Sequence, residues 1–240
     1  MARLTFAEAL DVLVLLRELS ASPDADEQMR FVRFCLERLT GSHSQLLQDL
    51  WVAWELAEQR DGYFVEFGAL DGRTSSNTLY LEEALGWSGI LAEPARAAHP
   101  YLARRSAHVD QRCVWVESGQ RLLFNECRPV DHSTIDSYSD GDLHADSRRG
   151  GTRYEVETVS LDDLLRHWQA PRRIDYLSVD TEGSEFDILS AFDFAAWDVR
   201  LITVEHNYTA RRDALHELLT GHGFRRKFAA LSRADDWYVR

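Results

Sequence analysis

The sequence predicts an α/β domain with a mostly parallel sheet, preceded by a helical extension. Residues 1–60 place apolar side chains at helical intervals, which is typical of amphipathic helices. From Gly62 onward, short apolar runs alternate with helical stretches, which indicates βαβ units and a parallel sheet. The chain has 240 residues, of which 45% are hydrophobic, and this is enough for one sizeable core.

Composition and charge exclude several classes of protein. The net charge of −13 argues against a broad surface for nucleic acid or anionic membrane, because both need clustered Lys and Arg. Three cysteines, an odd number without a CxxC pair, favour a reducing compartment over a disulfide framework. The longest wholly apolar run near the N-terminus, residues 12–16, is far short of the ~20 residues of a membrane span. We therefore predict a cytoplasmic protein without a membrane span.

Three helices are predicted in the first sixty residues. Thr5 and Glu8 have the spacing of a capping box at the start of the first helix. A second helix follows Ser22-Pro23-Asp24, and a third includes Leu47 and Trp54. We expect residues 1–42 to form an extension that serves packing or a homodimer contact, and residues 43–240 to form the main domain.

The remaining elements alternate along the chain. Strands are predicted at residues 63–67, 89–93, 113–116, 121–126, 154–159, 174–180 and 199–205, with helices through Leu81 and Leu85, from about Glu185, and over residues 209–222. Residues 131–153 interrupt this rhythm with a polar, glycine-containing stretch. We expect an insertion or lid there, and a plain surface loop is the alternative.

The segment 66–72, EFGALDG, connects the first predicted strand to a helix. Ligands of parallel sheets bind at this end of the strands, where glycines let the backbone approach them. The glycine spacing differs from the G-x-G-x-x-G of dinucleotide enzymes. Glu66 would repel a pyrophosphate but suits a cation, such as the ammonium or sulfonium of S-adenosylmethionine. The alternative is a simple strand–turn–helix with glycine at positive φ.

Glu93 ends the next predicted strand, 21 residues after Gly72. A carboxylate at about this distance, at the tip of the second strand, is placed to accept hydrogen bonds from both ribose hydroxyls of a nucleoside. NAD-binding proteins share this feature, so Glu93 indicates a nucleoside ligand and the glycine segment decides which one. A solvated strand-end side chain is the alternative.

Several ordered motifs resemble the FkbM methyltransferases. They are Ser44-Gln45 with Gln48-Asp49, the segment 66–72, Ala92-Glu93-Pro94, VETVSLDDL at 156–164, IDYLSVDTEGSE at 174–185 and TVEHN at 203–207. The resemblance covers residues 43 to 240. It implies a class I methyltransferase sheet, Rossmann-like with about seven mostly parallel strands, and S-adenosylmethionine as methyl donor. It also implies O-methylation of a sugar, glycan or small metabolite.

Carried over by position, the resemblance implies a donor site. Gly68 and its neighbours would wrap the methionine part and Glu93 would hold the ribose. The segment ending at Cys113-Val114 would occupy the third strand beside the adenine, with Asp110 or Gln111 near its amino group. Ser75 and Asn77 would bind the donor carboxylate or merely cap a helix. The implied donor-binding residues are Glu66, Gly68, Ala69, Asp71, Gly72, Ser75, Asn77, Glu93, Pro94, Asp110, Cys113 and Val114.

A second polar group is predicted at the ends of two later strands. Asp180 ends one strand, and Glu205, His206 and Asn207 end the next. Because neighbouring strands lie about 4.8 Å apart, these side chains can converge. Their oxygens suit Mg²⁺, and inclusion of the imidazole would favour Mn²⁺. Without a metal, Asp180 or His206 could act as general base, and a hydrogen-bonded cluster that only fixes loops is the alternative.

The predicted function is therefore methyl transfer from S-adenosylmethionine to a hydroxyl of a small-molecule or saccharide acceptor. The lid would shape the choice of acceptor through His132, Ser133, Thr134 and His144. An NAD-dependent oxidoreductase is one alternative, disfavoured by the glycine spacing and by the lack of a Tyr-x-x-x-Lys pair. A non-catalytic nucleoside-binding module is the other, disfavoured by the intact acidic residues.

Overall fold

One large sheet organises the chain in the computed structural model, which describes residues 5–20 and 26–240. The strands β1 to β11 of the described residues, in chain order, are Tyr63–Phe67, Ser88–Ala92, His108–Asp110, Cys113–Trp115, Arg121–Glu126, Thr134–Ile135, Thr152–Ser160, Arg173–Val179, Asp198–Glu205, Arg225–Lys227 and Asp235–Val239. Seven of them form the large sheet, in the order β10-β11-β9-β8-β1-β2-β3. β11 runs antiparallel to both of its neighbours, and the other adjacent pairs are parallel.

Helices cover both faces of this sheet. Over the described residues, α1 to α9 are Phe6–Ser20, Glu27–Arg38, Gln48–Glu55, Leu79–Leu85, His99–Leu102, Ala145–Arg148, Leu161–His167, Glu185–Ala191 and Arg211–Gly221. Successive residues of a strand point to opposite faces, so Tyr176 of β8 packs in one hydrophobic cluster and Leu177 in the other. The first cluster includes Phe31 and Trp51 from α2 and α3. The predicted three-layer α/β fold is confirmed.

The N-terminal helices follow the capping signals of the sequence. Thr5 N–H donates to Glu8 Oε2 at 2.8 Å, and Glu8 N–H donates to Thr5 Oγ1 at 3.3 Å, so the capping box forms. The predicted start of α2 at residues 22–24 lies outside the described residues, and Asp26 caps that helix by accepting from Met29 N–H at 2.9 Å. α1 packs against α2. Within the described residues, no helix has both the length and the apolar character to cross a membrane.

A smaller sheet stands beside the large one, with the order β4-β7-β5-β6. β5 and β7 pair antiparallel from Arg121–Glu157 to Glu126–Thr152. The segment predicted as an insertion or lid, residues 131–153, runs from the loop after β5 into the start of β7 and includes β6, α6 and the 3₁₀ turn Asp136–Tyr138. We term this segment the lid, because several of its residues line the cavity described below.

The third strand of the large sheet differs from the sequence prediction. β3 is His108–Asp110, whereas residues 113–115 form β4 and pair in parallel with β7 of the smaller sheet. The chain turns between the two strands because the Asp110 carboxylate accepts the Arg112 N–H at 3.0 Å, an Asx turn. Cys113 and Val114 therefore belong to the second sheet.

Candidate active site

A cavity of about 310 Å³ opens at the carboxyl ends of the parallel strands. Phe67 of β1, Ala92 of β2 and Glu205 of β9 line it, together with Asp180 directly after β8. The lid contributes the opposite wall through His132 and neighbouring residues. This is the edge at which an open parallel sheet binds its ligands. The structure thus brings the two predicted groups of polar residues into one cavity.

Gly68 has a structural reason to be glycine. Its φ is +77°, and a Cβ atom there would lie 1.5 Å from the carbonyl oxygen of Asp180. Its N–H donates to Ala92 O at 3.1 Å, so the turn is tied to the ends of both neighbouring strands. Gly68 and Ala69 also line the cavity, as predicted. The glycine therefore permits close packing of three strand ends directly under the ligand space.

Glu66 is buried at the end of β1 and organises the start of the following segment. Its carboxylate accepts the Asn77 N–H at 2.8 Å and the hydroxyls of Ser76 and Thr78. Burial raises the pKa of Glu66, and the nearby Arg105 guanidinium opposes that rise. Since Glu66 also lines the cavity, its carboxylate both fixes the segment 76–78 and adds negative charge to the ligand space.

Asn77 presents an unsatisfied acceptor in the same part of the cavity. Its Nδ2 donates to Ser178 Oγ at 3.0 Å, whereas its buried Oδ1 has no hydrogen-bond partner. A buried polar atom without a partner costs about 1–3 kcal/mol. The side chain is 7% exposed and lines the cavity, as does Ser75. The free oxygen suits an N–H donor such as an ammonium.

Glu93 lies at the predicted position, at the end of β2. Its Oε2 accepts Leu70 N–H at 2.9 Å and its Oε1 accepts Ala95 N–H at 2.8 Å. Burial, together with the nearby charge of Glu126, raises the pKa of Glu93 to about 7 against these hydrogen bonds. A carboxylate oxygen has two lone pairs, so each can accept a further bond. Glu93 and Pro94 both line the cavity.

Three of the predicted donor-binding residues lie outside the cavity lining. Asp71 caps its own turn, accepting from the backbone N–H groups of Arg73 and Thr74 at 2.8 and 2.6 Å. Gly72 packs against Leu102 and Arg105. Local hydrogen bonds and packing account for both residues.

Asp110 is the third of these residues. Its carboxylate forms an ion pair with Arg112 at 2.6 Å and accepts a hydrogen bond from Trp168 Nε1 at 3.0 Å. These contacts hold the carboxylate at the end of β3, away from the cavity lining. Cys113 and Val114, by contrast, do line the cavity, although they reach it from the second sheet. The predicted adenine side of the site is therefore built by β4 in place of the third strand of the main sheet.

Three carboxyl groups converge at the other end of the cavity. One oxygen each of Asp180, Glu182 and Glu205 lies within 4.8 Å of the other two, and we term this set the acid cluster. Burial is the largest cause that raises the pKa of all three. The charge of Asp180 raises the pKa of Glu182 and Glu205 further, and the charge of Asp235 does so for Asp180 and Glu205. Such a group is stabilised by any cation that it binds. Glu182 was not among the predicted metal ligands, and its position two residues after Asp180 was the signal available.

Two side chains hold the acid cluster together. Arg148 from the lid donates from Nη2 to Glu182 Oε2 at 2.6 Å, and its side chain is fully buried. Asn207 donates from Nδ2 to Glu182 Oε2 at 3.1 Å and to Glu205 Oε2 at 2.9 Å. Asn207 thus lies in the predicted group, but it orients the carboxylates through its amide N–H.

His206 faces away from the main cavity, which corrects its predicted place in the group. β9 ends at Glu205, and His206, the next residue, is not among the residues that line the main cavity. It lines a second, smaller cavity instead. Its Nδ1 accepts the Tyr208 N–H at 3.0 Å, and its buried Nε2 lies 3.9 Å from Asp236 Oδ1 without a hydrogen bond. Burial lowers the pKa of His206.

The lid residues predicted to meet an acceptor divide into two groups. His132, Ser133 and His144 line the cavity, and the two imidazole rings lie 3.7 Å apart. Burial, with His132 beside it, lowers the pKa of His144. Thr134 does not line the cavity, because its hydroxyl donates to the carbonyl of Glu182 at 3.0 Å and fastens the lid to the strand-end loop.

The backbone around the cavity is strained. Leu70, Ser75, Glu182, Asn207 and Tyr208 all line it, and all have positive φ values, between 44° and 59°. Non-glycine residues in this region cost on the order of 1–3 kcal/mol each and persist where the surrounding structure imposes them, commonly at functional sites. Seven further non-glycine residues of the described chain, among them Leu47 and Arg233, have positive φ outside the cavity lining, so such backbone is not confined to the site.

Seven mostly parallel strands with a cavity at their carboxyl ends are the arrangement that the family resemblance implied for a class I methyltransferase sheet. Residues 66–226 match the family model described as Methyltransferase FkbM domain, which is more than half of the chain. The chain belongs to the FkbM methyltransferase family. The family resemblance drawn from the sequence is thereby confirmed.

Individual relatives align over parts of their length. Methyltransferase sdnD of Sordaria araneosa is 37% identical over 90 residues, which are 33% of this chain and 35% of that protein. The crystal structure of methyltransferase FkbM from Methylobacillus flagellatus KT aligns with 98% of this chain and 60% of its own, at 14% identity and a TM-score of 0.49. The METTL16 methyltransferase domain aligns with 98% of this chain and 91% of its own, at 11% identity and a TM-score of 0.46.

Proposed function

We propose that the protein is an S-adenosylmethionine-dependent O-methyltransferase that acts on a hydroxyl of a sugar, glycan or small metabolite. One observation carries the proposal: a single cavity joins a nucleoside-type pocket, containing Glu93 and the free Asn77 oxygen, to the acid cluster. The first part fits a donor with an ammonium and a ribose. The second part fits an acceptor group that must lose a proton.

The position of the donor follows from matching its charged and hydrogen-bonding groups to the charges and free acceptor atoms of the cavity lining. The Asn77 Oδ1 atom and the Glu66 carboxylate would receive the donor ammonium. Glu93 would accept hydrogen bonds from the two ribose hydroxyls. Its carboxylate is already oriented by the backbone N–H groups of Leu70 and Ala95, which donate to it. Cys113 and Val114 would pack on the adenine.

The acceptor chemistry follows from the nature of the reaction. The methyl–sulfur bond of the donor breaks as the oxygen–methyl bond forms, the electron pair remains on sulfur, and the hydroxyl proton must leave the acceptor. Alignment of the reacting groups supplies much of the rate enhancement in such displacements. Without a metal, Asp180 would accept this proton, because His206 does not line the main cavity. In that form, the raised pKa of Asp180 makes its carboxylate a stronger base than an ordinary one.

A divalent cation fits the acid cluster. Asp180, Glu182 and Glu205 offer the hard oxygen ligands that Mg²⁺ and Mn²⁺ prefer, and without an imidazole the set favours Mg²⁺. Such an ion would stabilise negative charge on the acceptor oxygen. Arg148 occupies one oxygen of Glu182, so the chain itself orients that ligand.

The experiment that tests the proposal compares two nucleoside ligands. Calorimetric titration with S-adenosylhomocysteine should show one site per chain, and NAD at the same concentrations should show no binding. A transfer assay with methyl-labelled S-adenosylmethionine then tests for catalysis. Binding of NAD in preference would establish the oxidoreductase alternative, and donor binding without transfer to any acceptor would establish the non-catalytic one.

A further inference from the structure

We propose that the acceptor carries no phosphate, carboxylate or sulfate, and is an uncharged or amine-bearing hydroxyl compound. This inference rests on the proposed function and narrows its substrate class. The observation behind it is the charge of the cavity lining. Cavities lined by one sign of charge concentrate ligands of the opposite sign and repel those of the same sign.

The lining contains carboxylates without an opposing base. Among the described residues, six acidic side chains line the main cavity and neither Lys nor Arg does. The six are distributed from the donor end to the lid and are Glu66, Glu93, Asp131, Asp180, Glu182 and Glu205. An anionic acceptor would therefore meet no side chain of opposite charge among the described residues on the wall of this cavity.

The nearest guanidinium at the acceptor end is already committed. Arg148 is fully buried and donates to Glu182 at 2.6 Å, to Asp142 Oδ1 at 2.8 Å and to the carbonyl oxygen of His132 at 2.6 Å. Its remaining contact is the Tyr138 carbonyl at 3.5 Å. These contacts engage four of its five N–H donors, and the side chain is fully buried and does not line the cavity, so Arg148 presents no exposed cation to a bound acceptor.

Arg105, beside Glu66 at the donor end of the cavity, is likewise engaged in contacts within the protein. Arg105 pairs with Glu82 at 2.8 Å and donates to the Gly72 carbonyl at 2.6 Å and the Thr78 hydroxyl at 3.0 Å. Its side chain is 5% exposed and does not line the cavity. Both buried arginines therefore stabilise the walls of the site and leave its interior without a free cation.

Bound cofactors would add positive charge to the cavity but no side-chain cation. S-adenosylmethionine carries one net positive charge, and a divalent cation would add two, held by the three carboxyl groups of the acid cluster and by the reacting hydroxyl. Neither leaves an Arg or Lys among the described residues of the lining for a phosphate, carboxylate or sulfate elsewhere on the acceptor. Proteins that bind phosphate or carboxylate normally use Arg, Lys or aligned N–H groups at that position.

Neutral polar groups line the acceptor end between the carboxylates. They are the side chains of His132, Ser133, His144, Thr181, Ser184, Asn207 and Tyr208. Hydroxyl and imidazole groups both donate and accept hydrogen bonds, which matches the hydroxyls of an uncharged polyol or sugar. An acceptor amine would add a direct attraction to the acids.

The test separates candidate acceptors by their charge, so the identity of the acceptor need not be known beforehand. Small molecules and soluble glycans from the organism that encodes the protein are separated on an anion exchanger, and each fraction is incubated with the protein and methyl-labelled S-adenosylmethionine. The labelled product should arise from the unretained fraction. Label confined to the retained, anionic fraction would overturn the inference. If S-adenosylhomocysteine binds but no fraction is labelled, the proposed O-methyl transfer fails and this inference fails with it.

A charge-reversal variant provides a second measurement. The Asp131→Lys variant places a cation at the rim of the cavity, and Asp140→Lys places one on the exposed lid outside the cavity lining as the matched control. Against a phosphorylated derivative of the labelled acceptor, Asp131→Lys should raise kcat/KM about tenfold over the wild type, and Asp140→Lys should not. Equal use of the neutral and phosphorylated forms by the wild type would overturn the inference.

Discussion

Arg148 Nη2 and Glu182 Oε2 lie 2.6 Å apart in a buried ion pair that joins the lid to the acid cluster. The same guanidinium donates to the carbonyl of His132 and the carboxylate of Asp142, so one side chain connects two other points of the lid to the acid cluster. Removing one partner of a buried pair leaves the other charge uncompensated, which costs about 3–5 kcal/mol.

The first prediction therefore concerns Arg148. The Arg148→Met variant should lose about 3–5 kcal/mol of unfolding free energy in urea melts, and Arg148→Lys should lose less because it keeps the charge. In hydrogen–deuterium exchange of the S-adenosylhomocysteine complex, the amides of residues 131–147 should exchange faster in the Met variant. Arg149→Met is the matched control, since Arg149 forms only an exposed pair with Asp146. Unchanged lid exchange in Arg148→Met would refute the assigned contact.

The second prediction is a loss of donor affinity in Glu93→Ala. Hydrogen bonds to a charged group contribute about 1.5–3 kcal/mol each at most, and water replaces them in part. Affinity for S-adenosylhomocysteine should therefore fall roughly ten- to a hundredfold in calorimetry. Glu83→Ala, an exposed glutamate outside the cavity lining, serves as the control. Equal affinities of the Glu93 variant and the wild type would remove Glu93 from the site.

A third prediction follows from the raised pKa of Glu93. With a pKa of about 7 against an ordinary 4.5, Glu93 is protonated below neutral pH in the free protein. The ribose hydroxyls need the ionised form as acceptor, so affinity should be level above about pH 8. It should fall by up to about tenfold per pH unit as the pH drops below 7. Titrations from pH 5.5 to 8.5 measure this slope, and Glu93→Gln should flatten it.

The fourth prediction separates Asp180 from His206. Positioned acid–base catalysis contributes about 10²–10⁴-fold, so Asp180→Asn should lower kcat by that factor in the labelled-methyl assay. His206→Gln should keep kcat near the wild-type value, because its ring lies outside the main cavity. The reverse order of the two effects would restore His206 as general base. Both variants should bind S-adenosylhomocysteine like the wild type.

The fifth prediction concerns the metal. Dialysis against EDTA should abolish methyl transfer and leave S-adenosylhomocysteine binding intact, and Mg²⁺ or Mn²⁺ should restore transfer. Glu182→Gln should weaken Mn²⁺ binding measured by electron paramagnetic resonance, because Glu182 is one of the three converging ligands. Glu157→Gln, on the exposed part of β7, is the control. Transfer that is indifferent to EDTA would assign the cluster to proton transfer alone.

The parts of the fold and site that could be predicted from the sequence are those with a local signal. In the sequence, each apolar run of β1, β2, β8 and β9 lies within a few residues of the carboxylate at its end. In a parallel sheet, consecutive crossovers bring such ends to one edge, so Glu93 and Asp180 were placed at the cavity correctly.

The rest depended on contacts between residues far apart in the chain. Arg148 is 34 residues from Glu182, and nothing near it in the sequence distinguishes a buried arginine from an exposed one. β3 has three residues, too few for a periodic pattern, which is why Cys113 and Val114 were assigned to its place. The sequence grouped His206 with Glu205 and Asn207 because all three follow one apolar run, but His206 comes directly after the last residue of β9 and lines the second cavity instead.

The position of β11 has a consequence for the order of events during synthesis. β11 lies inside the sheet, between β9 and β10, and Gln48 at the start of α3 donates to Asp235 Oδ2 at 2.7 Å across 187 residues of sequence. Until Asp235–Val239 has left the ribosome, the edge of β9 that ends in Glu205 remains unpaired, and exposed strand edges favour association between chains. During synthesis there is therefore an interval in which most of the donor pocket has been translated while the β9 edge is still unpaired. We expect chaperones to bind the nascent chain mainly in that interval.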